Sequence, residues 1–196
     1  MSGWDRELVD AFLAELEADA PQAVEDVVSV LDEHAAPPSS VRDAILAAAR
    51  VEGRFDRFAS IAAELLDVSE ARAKELLDGI AREDVWTDAP IPGVRLYHLE
   101  GGPKVAGSIT GIVHMHAGTV FPEHRHLGDE VVLVVQGSFE DGVSGRVHRA
   151  GEIVRMPADS AHHFRARPGP ALVYLVVLAE GLEVGGAVIG PYDPAM

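Results

Sequence analysis

The stretch Gly118 to Gly137, GTVFPEHRHLGDEVVLVVQG, decides how this chain is to be read. It carries two histidines and a carboxylate, His124, His126 and Glu130, within seven residues. Side chains alternate faces along a strand, so His124 and His126 point the same way and can grip one ion. Gly128 and Asp129 read as a turn, after which Glu130 opens the run Glu-Val-Val-Leu-Val-Val, with the length and β-branched content of a buried strand. From that next strand Glu130 can reach the same ion. A buried carboxylate beside two imidazoles is costly unless a cation compensates it, so the cluster reads as a metal site.

The spacing Gly118, His124-Arg-His126, Glu130, Gly137 resembles the first motif of the cupin superfamily at every fixed position. Gly151-Glu-Ile-Val-Arg-Met-Pro157-Ala-Asp159-Ser-Ala-His162 is similar to the second. That resemblance implies a double-stranded β-helix, the cupin jelly-roll barrel, and makes His162 the fourth ligand beside His124, His126 and Glu130. Two positions depart from the family pattern: Asp159 stands where glycine is usual, and Ala166 where asparagine is usual. Within the superfamily, PEHRHLGDEVVLVVQGSFED with MPADSAHHF most resembles the sensor half of ChrR-type anti-sigma factors. Those proteins also carry a helical amino-terminal domain that holds zinc through histidine and cysteines and clamps a sigma factor. This chain has no cysteine. The resemblance therefore covers about the last hundred residues and does not bring anti-sigma activity to the first eighty.

Composition bounds the rest. The 196 residues suffice for one large or two small domains with a sizeable core. No apolar run is long enough to cross a bilayer, and the opening MSGWDRELVD is acidic where a signal peptide would be basic, so a cytoplasmic protein is expected. A net charge of −16 argues against sequence-independent attraction to nucleic acid or to an anionic membrane, and favours a cationic partner or none. Without cysteine there is neither a disulfide nor a thiolate switch.

Before the barrel, Trp4, Leu8, Phe12 and Leu16 form one apolar helical stripe, Val24 to Leu31 a second, and Val41, Ile45 and Ala48 a third. Phe55, Phe58, Ala62 and Leu65 make a fourth, and Ala73, Leu76, Leu77 and Ile80 a fifth. Residues 1–83 are thus expected as a helical bundle, 84–93 as a linker and 94–196 as the barrel, an α+β chain. FASIAAELLDVSEARAKELL could form a helix-turn-helix, but Glu70, Glu75 and Asp78 oppose phosphate contact, so a plain helical hairpin capped by Ser69 is expected. Strands are expected over Val94–Leu99, Ser108–His116, Val131–Val135, Ile153–Met156, His162–Arg165 and Ala171–Leu178. Val131–Val135 is apolar on both faces, so one face must pack outside the barrel, on the helical domain or on a second subunit. A homodimer is expected.

The remaining histidines are assigned by face. His163 neighbours His162 on a strand and so points the opposite way. His114 and His116 repeat the two-apart spacing, but no carboxylate follows them at a useful distance. Phe121, Phe139, Met156 and Phe164 read as barrel packing, and Tyr174 and Asp159 as further polar candidates. Three imidazoles and a carboxylate suit one borderline divalent ion per chain: zinc by the family resemblance, or iron, manganese or nickel with positions left for a small-molecule ligand. Two functions follow. One is a regulatory or sensor protein whose ion reports an oxidant or small ligand and whose helical domain meets a protein partner. The other is a metal-dependent dioxygenase, isomerase or lyase acting on a small polar molecule.

Overall fold

The apolar run after Glu130 becomes a strand inside a sheet, β5 (Glu130–Gln136), and each of its faces is covered by different elements. A computed structural model of the chain describes residues 53–191. The helices expected within residues 4–50 lie outside them. The chain divides into two compact units, Met1–Arg54 and Phe55–Met196, and all elements named below belong to the second. Among the described residues no helix is long and apolar enough to cross a membrane.

Among the described residues twelve strands form two six-stranded antiparallel sheets. The first has the order β1 (Thr87–Asp88), β2 (Val94–His98), β3 (Ser108–Met115), β10 (Leu172–Ala179), β5, β8 (Ile153–Met156). The second runs β12 (Ala187–Ile189), β11 (Leu182–Val184), β4 (Val120–His126), β9 (Ala161–Ala166), β6 (Ser138–Asp141), β7 (Val147–Arg149). Non-sequential neighbours such as β3–β10–β5 and β4–β9–β6 are the crossovers of a jelly roll, in which no β-hairpin meander would bring His162 beside His124. Five of the shorter strands, β1, β6, β7, β11 and β12, give no pattern long enough to read from sequence. Within residues 84–93, expected as a linker, β1 already pairs with β2, Thr87 facing Leu96.

Alternation along the central strands separates two cores. Val132 and Val134 of β5 face inward with Val113 and Met115 of β3 and with Leu172, Tyr174, Val176 and Leu178 of β10. Leu133 and Val135, with Ile112, Val173 and Leu175, face outward and pack on two helices, α1 (Ala59–Leu66) and α2 (Glu70–Asp78). The helices contribute Ala59, Ala62, Leu66, Ala73, Leu76 and Leu77, and the 3-10 turn Asp56–Phe58 before α1 adds Phe58. The hairpin turns at Asp67, whose φ of 55° is left-handed, a conformation Asp tolerates better than most residues. Ser69 then caps α2 by accepting from the Arg72 N–H at 3.2 Å. Gly102 brings the chain against this turn. Its N–H donates to the Leu66 carbonyl at 2.8 Å, and a Cβ there would collide with the Asp67 carbonyl.

The outer face of β5 therefore needs no second subunit to exclude water, because the hairpin already buries it. This removes the reason for expecting a dimer. Leu133 is fully buried in this outer layer, so Leu133→Ala should cost about 2–5 kcal/mol of unfolding free energy, as large-to-small core changes do. Urea titration of the full chain measures it; an unchanged midpoint would mean that the hairpin does not pack there in solution.

Candidate metal centre

Two sheets contribute to one cluster. His124 and His126 lie at the end of β4 and His162 near the start of β9; Glu130 opens β5 in the facing sheet. The carboxylate thus comes from across the barrel rather than from a hydrogen-bonded neighbour of β4. All four residues are buried, His126 completely. The pairing of β4 with β9 contains an irregularity that makes the cluster. Val120 faces Arg165 and Phe121 faces Phe164, but after a bulge at Pro122–Glu123 His124 faces His162. An unbroken register would set Ala161 opposite His124 and turn His124 and His126 toward the other face, away from His162. Proline sits comfortably at a bulge because no ladder N–H is required of it.

Each imidazole is held by its Nδ1. His124 Nδ1 lies 2.9 Å from the Pro122 carbonyl, His126 Nδ1 3.0 Å from Ser160 Oγ, and His162 Nδ1 2.6 Å from Asp141 Oδ2. A carbonyl and a carboxylate can only accept. Ser160 uses its own hydrogen on the Pro157 carbonyl at 2.6 Å, so it too accepts from the ring. All three Nδ1 atoms therefore carry the proton, and in the neutral rings all three Nε2 atoms present bare lone pairs. The Nε2 atoms of His126 and His162 are buried with no hydrogen-bond partner. His126 Nε2 instead confronts Glu130 Oε2 at 3.3 Å, acceptor against acceptor once the carboxyl is ionised.

The electrostatics match. Burial pushes His124 and His126 down to about 4, so both are neutral at physiological pH. Burial pushes Glu130 up to about 7. The His126–Glu130 contact is consequently not a salt bridge in the absence of an ion. Burial would also raise Asp141, but hydrogen bonds from the Ser144 backbone, His162 and the Ser144 hydroxyl prevail and hold it well below the usual carboxylate range. It stays an anion and a fixed acceptor for His162. Tyr174 is buried beside this end of the barrel, and burial with the nearby Glu130 raises its phenol well above its ordinary value.

Lone pairs of His124, His126 and His162 lie within 4.8 Å of one another, so these three residues can hold a metal ion. Glu130 reaches the same end of the cavity. His163 is exposed on the other face of β9 and lies against Gly142. His114 and His116 form a separate pair, ring centroids 5.4 Å apart, outside the cluster; His114 packs on Trp86. Asp159 is not at the cluster. Its φ of 63° explains why glycine is usual at that position, and its carboxylate takes a 2.8 Å bond from Arg125. Phe121 and Phe164, expected as packing, stack at 5.2 Å and flank the His124 ring.

Sequence reasoning missed the groups that hold the rings. Asp141 precedes Gly142 and reads as a turn residue, a role it also fills by accepting from Val143 and Ser144 N–H. The signal that it serves His162 exists only once β6 lies beside β9. Asp141→Asn should weaken metal affinity about 10–100-fold without changing stoichiometry, the usual cost of losing a carboxylate behind a ligating histidine; competition with a chromophoric chelator measures it.

Two facing antiparallel sheets that share such a histidine cluster define a cupin barrel with a centre able to hold metal. The chain belongs to the ChrR Cupin-like domain family, whose model matches residues 80–180. No curated protein matches it. Among solved structures it is similar to ChrR in the complex of the anti-sigma factor with Rhodobacter sphaeroides SigE, at 24% identity over 88% of this chain and 87% of that one, TM-score 0.47. It is also similar to an RmlC-like cupin from Ralstonia eutropha, at 26% identity over 53% and 70% of the two chains, TM-score 0.46. An acetylacetone dioxygenase from Acinetobacter johnsonii aligns at 19% identity over 55% and 80%, TM-score 0.48.

Proposed function

We propose that this protein is a metal-binding regulatory or sensor cupin that holds one divalent ion through His124, His126, Glu130 and His162. One observation carries the metal: three imidazoles with every Nδ1 proton committed bring their other nitrogens within 4.8 Å of one another, where one of them meets, once Glu130 is ionised, a carboxylate acceptor to acceptor. A cation converts that repulsion into ligation. Zinc is favoured by family likeness, and the same donors suit iron, manganese or nickel. The regulatory role, a helical segment over residues 1–83 that meets a protein partner, a linker over 84–93 and a barrel from 94 rest on the family and on the sequence.

Untagged protein should contain one equivalent of metal per chain, and chelation should lower its melting temperature, because an ion that binds only the folded state stabilises it by mass action. A metal-free preparation whose melting curve ignores both chelator and added ion would refute the centre. The second function, a metal-dependent dioxygenase, isomerase or lyase, is favoured by a cavity of about 150 Å³ that abuts His124, His162 and Glu130. Turnover of a small molecule that disappears with His162→Ala would establish it.

A further inference from the structure

The cavity beside the histidines carries its charged and imidazole groups at one end only. His124, His162 and Glu130 gather there, the Tyr174 phenol is the one other polar side chain lining it, and the remaining wall is hydrocarbon, including Val113, Val132, Phe164, Val176 and Leu178. Among the described residues no lysine, arginine, asparagine, glutamine, serine or threonine lines it. We propose that the cavity selects a small monoanion with a compact hydrocarbon body, the anionic oxygen directed to the histidine cluster and the body lying along the apolar wall. The inference rests on the cluster being a metal centre, and it replaces the polar molecule expected from the sequence.

Size, polarity and charge each narrow the occupant. A cavity of about 150 Å³ lined by such side chains is the size that accommodates a benzene-sized body. A sugar or polyol would bury hydroxyls against Val, Leu and Phe, and each hydroxyl left without a partner weakens binding by about tenfold. An amino acid or dicarboxylate would carry a second charge to a wall that offers no counter-charge. At the polar end, three neutral imidazoles and one carboxylate around a divalent ion leave a single positive charge, which one anionic oxygen neutralises. Phe121 and Phe164, stacked beside His124, give the body an aromatic face to pack on.

The test uses two isosteric acids that differ by one methyl or hydroxyl, 3-methylbutanoate and 3-hydroxybutanoate, titrated calorimetrically into the full chain loaded with zinc. The methyl compound should bind at least about tenfold more tightly. Chelation of the ion by the hydroxyl would act against that order, so the comparison is conservative. Equal or tighter binding of the hydroxy acid overturns the proposal, as does failure of both to bind a chain that holds one zinc. A second arm uses the chelator-treated chain with fluorobenzene followed by fluorine NMR. Exchange broadening is expected, and it should vanish in Val176→Phe, which fills the wall; broadening that persists in a folded Val176→Phe places the probe elsewhere and overturns the apolar selection. A chain that takes up no metal and binds neither acid, yet binds fluorobenzene, would refute the metal reading and the anionic head with it, while upholding selection of a hydrocarbon body. The isostere comparison is made on the unmodified chain and needs no variant to fold.

Discussion

His126→Ala should abolish metal binding, or weaken it by more than about 100-fold, since losing a direct ligand exceeds the 10–100-fold typical of the groups behind it. The ring is completely buried, its Nδ1 is engaged by Ser160, and its Nε2 has no partner among the described residues. No neighbouring side chain can replace it from the same position on β4. The contrast on β9 is sharper. His162→Ala should lose the ion and His163→Ala should keep it, although the two residues are adjacent in sequence, because only His162 is buried in the cluster. Elemental analysis after dialysis reads both variants. Loss of the ion with His163→Ala and its retention with His162→Ala would mean that the β4–β9 register is wrong by one residue. His114→Ala and His116→Ala are the controls, and stoichiometry should be unchanged in each.

Glu130→Gln should have opposite effects with and without the ion. In the metal-free chain the folded state raises Glu130 from 4.5 to about 7 by burial alone. Below about pH 4.5 the carboxyl is protonated in both states and has no pH-dependent effect. As pH rises through 7 the unfolded chain has already ionised while the folded one resists, so stability falls, by about 3 kcal/mol once the pH is well above 7. His124 and His126 act in the other sense: held down to about 4 from 6.5, they cost stability as pH falls. Their contribution is common to both proteins, and it cancels in the comparison. In chelator at about pH 8, Glu130→Gln should therefore be the more stable protein by about 3 kcal/mol, the gap closing toward pH 4.5. With metal present the order should reverse, since a neutral amide is a weaker ligand than a carboxylate. Urea unfolding at both pH values, with and without ion, measures all four states. A destabilised metal-free Glu130→Gln would show that Glu130 is not an uncompensated buried charge.

Short-range alternation and motif spacing in the amino-acid sequence pointed to a β-rich barrel and put His124, His126 and Glu130 within reach of one another; the family resemblance added His162, and the structure gathers the three histidines within reach of one ion. Alternation puts His124 and His126 on one face wherever β4 lies, and the apolar run after Glu130 is a two-sided buried strand in any packing. The hairpin of α1 and α2 was legible for the same reason, in the stripes of Phe58, Ala62, Ala73, Leu76 and Leu77 and in the Ser69 cap. Contacts between distant segments were decided only by the tertiary structure. The bulge at Pro122–Glu123 shifts β4 by one residue against β9 and so turns His124 and His126 toward His162; nothing within either strand announces that shift. Asp141 becomes the acceptor for His162, and Ser160 for His126, only when their segments are brought alongside. The apolar face of β5 found its cover in the chain's own helices rather than in a second subunit, a choice that depends on where the hairpin docks. The hydrocarbon wall of the cavity is likewise assembled from strands of both sheets, and no single stretch of sequence contains it.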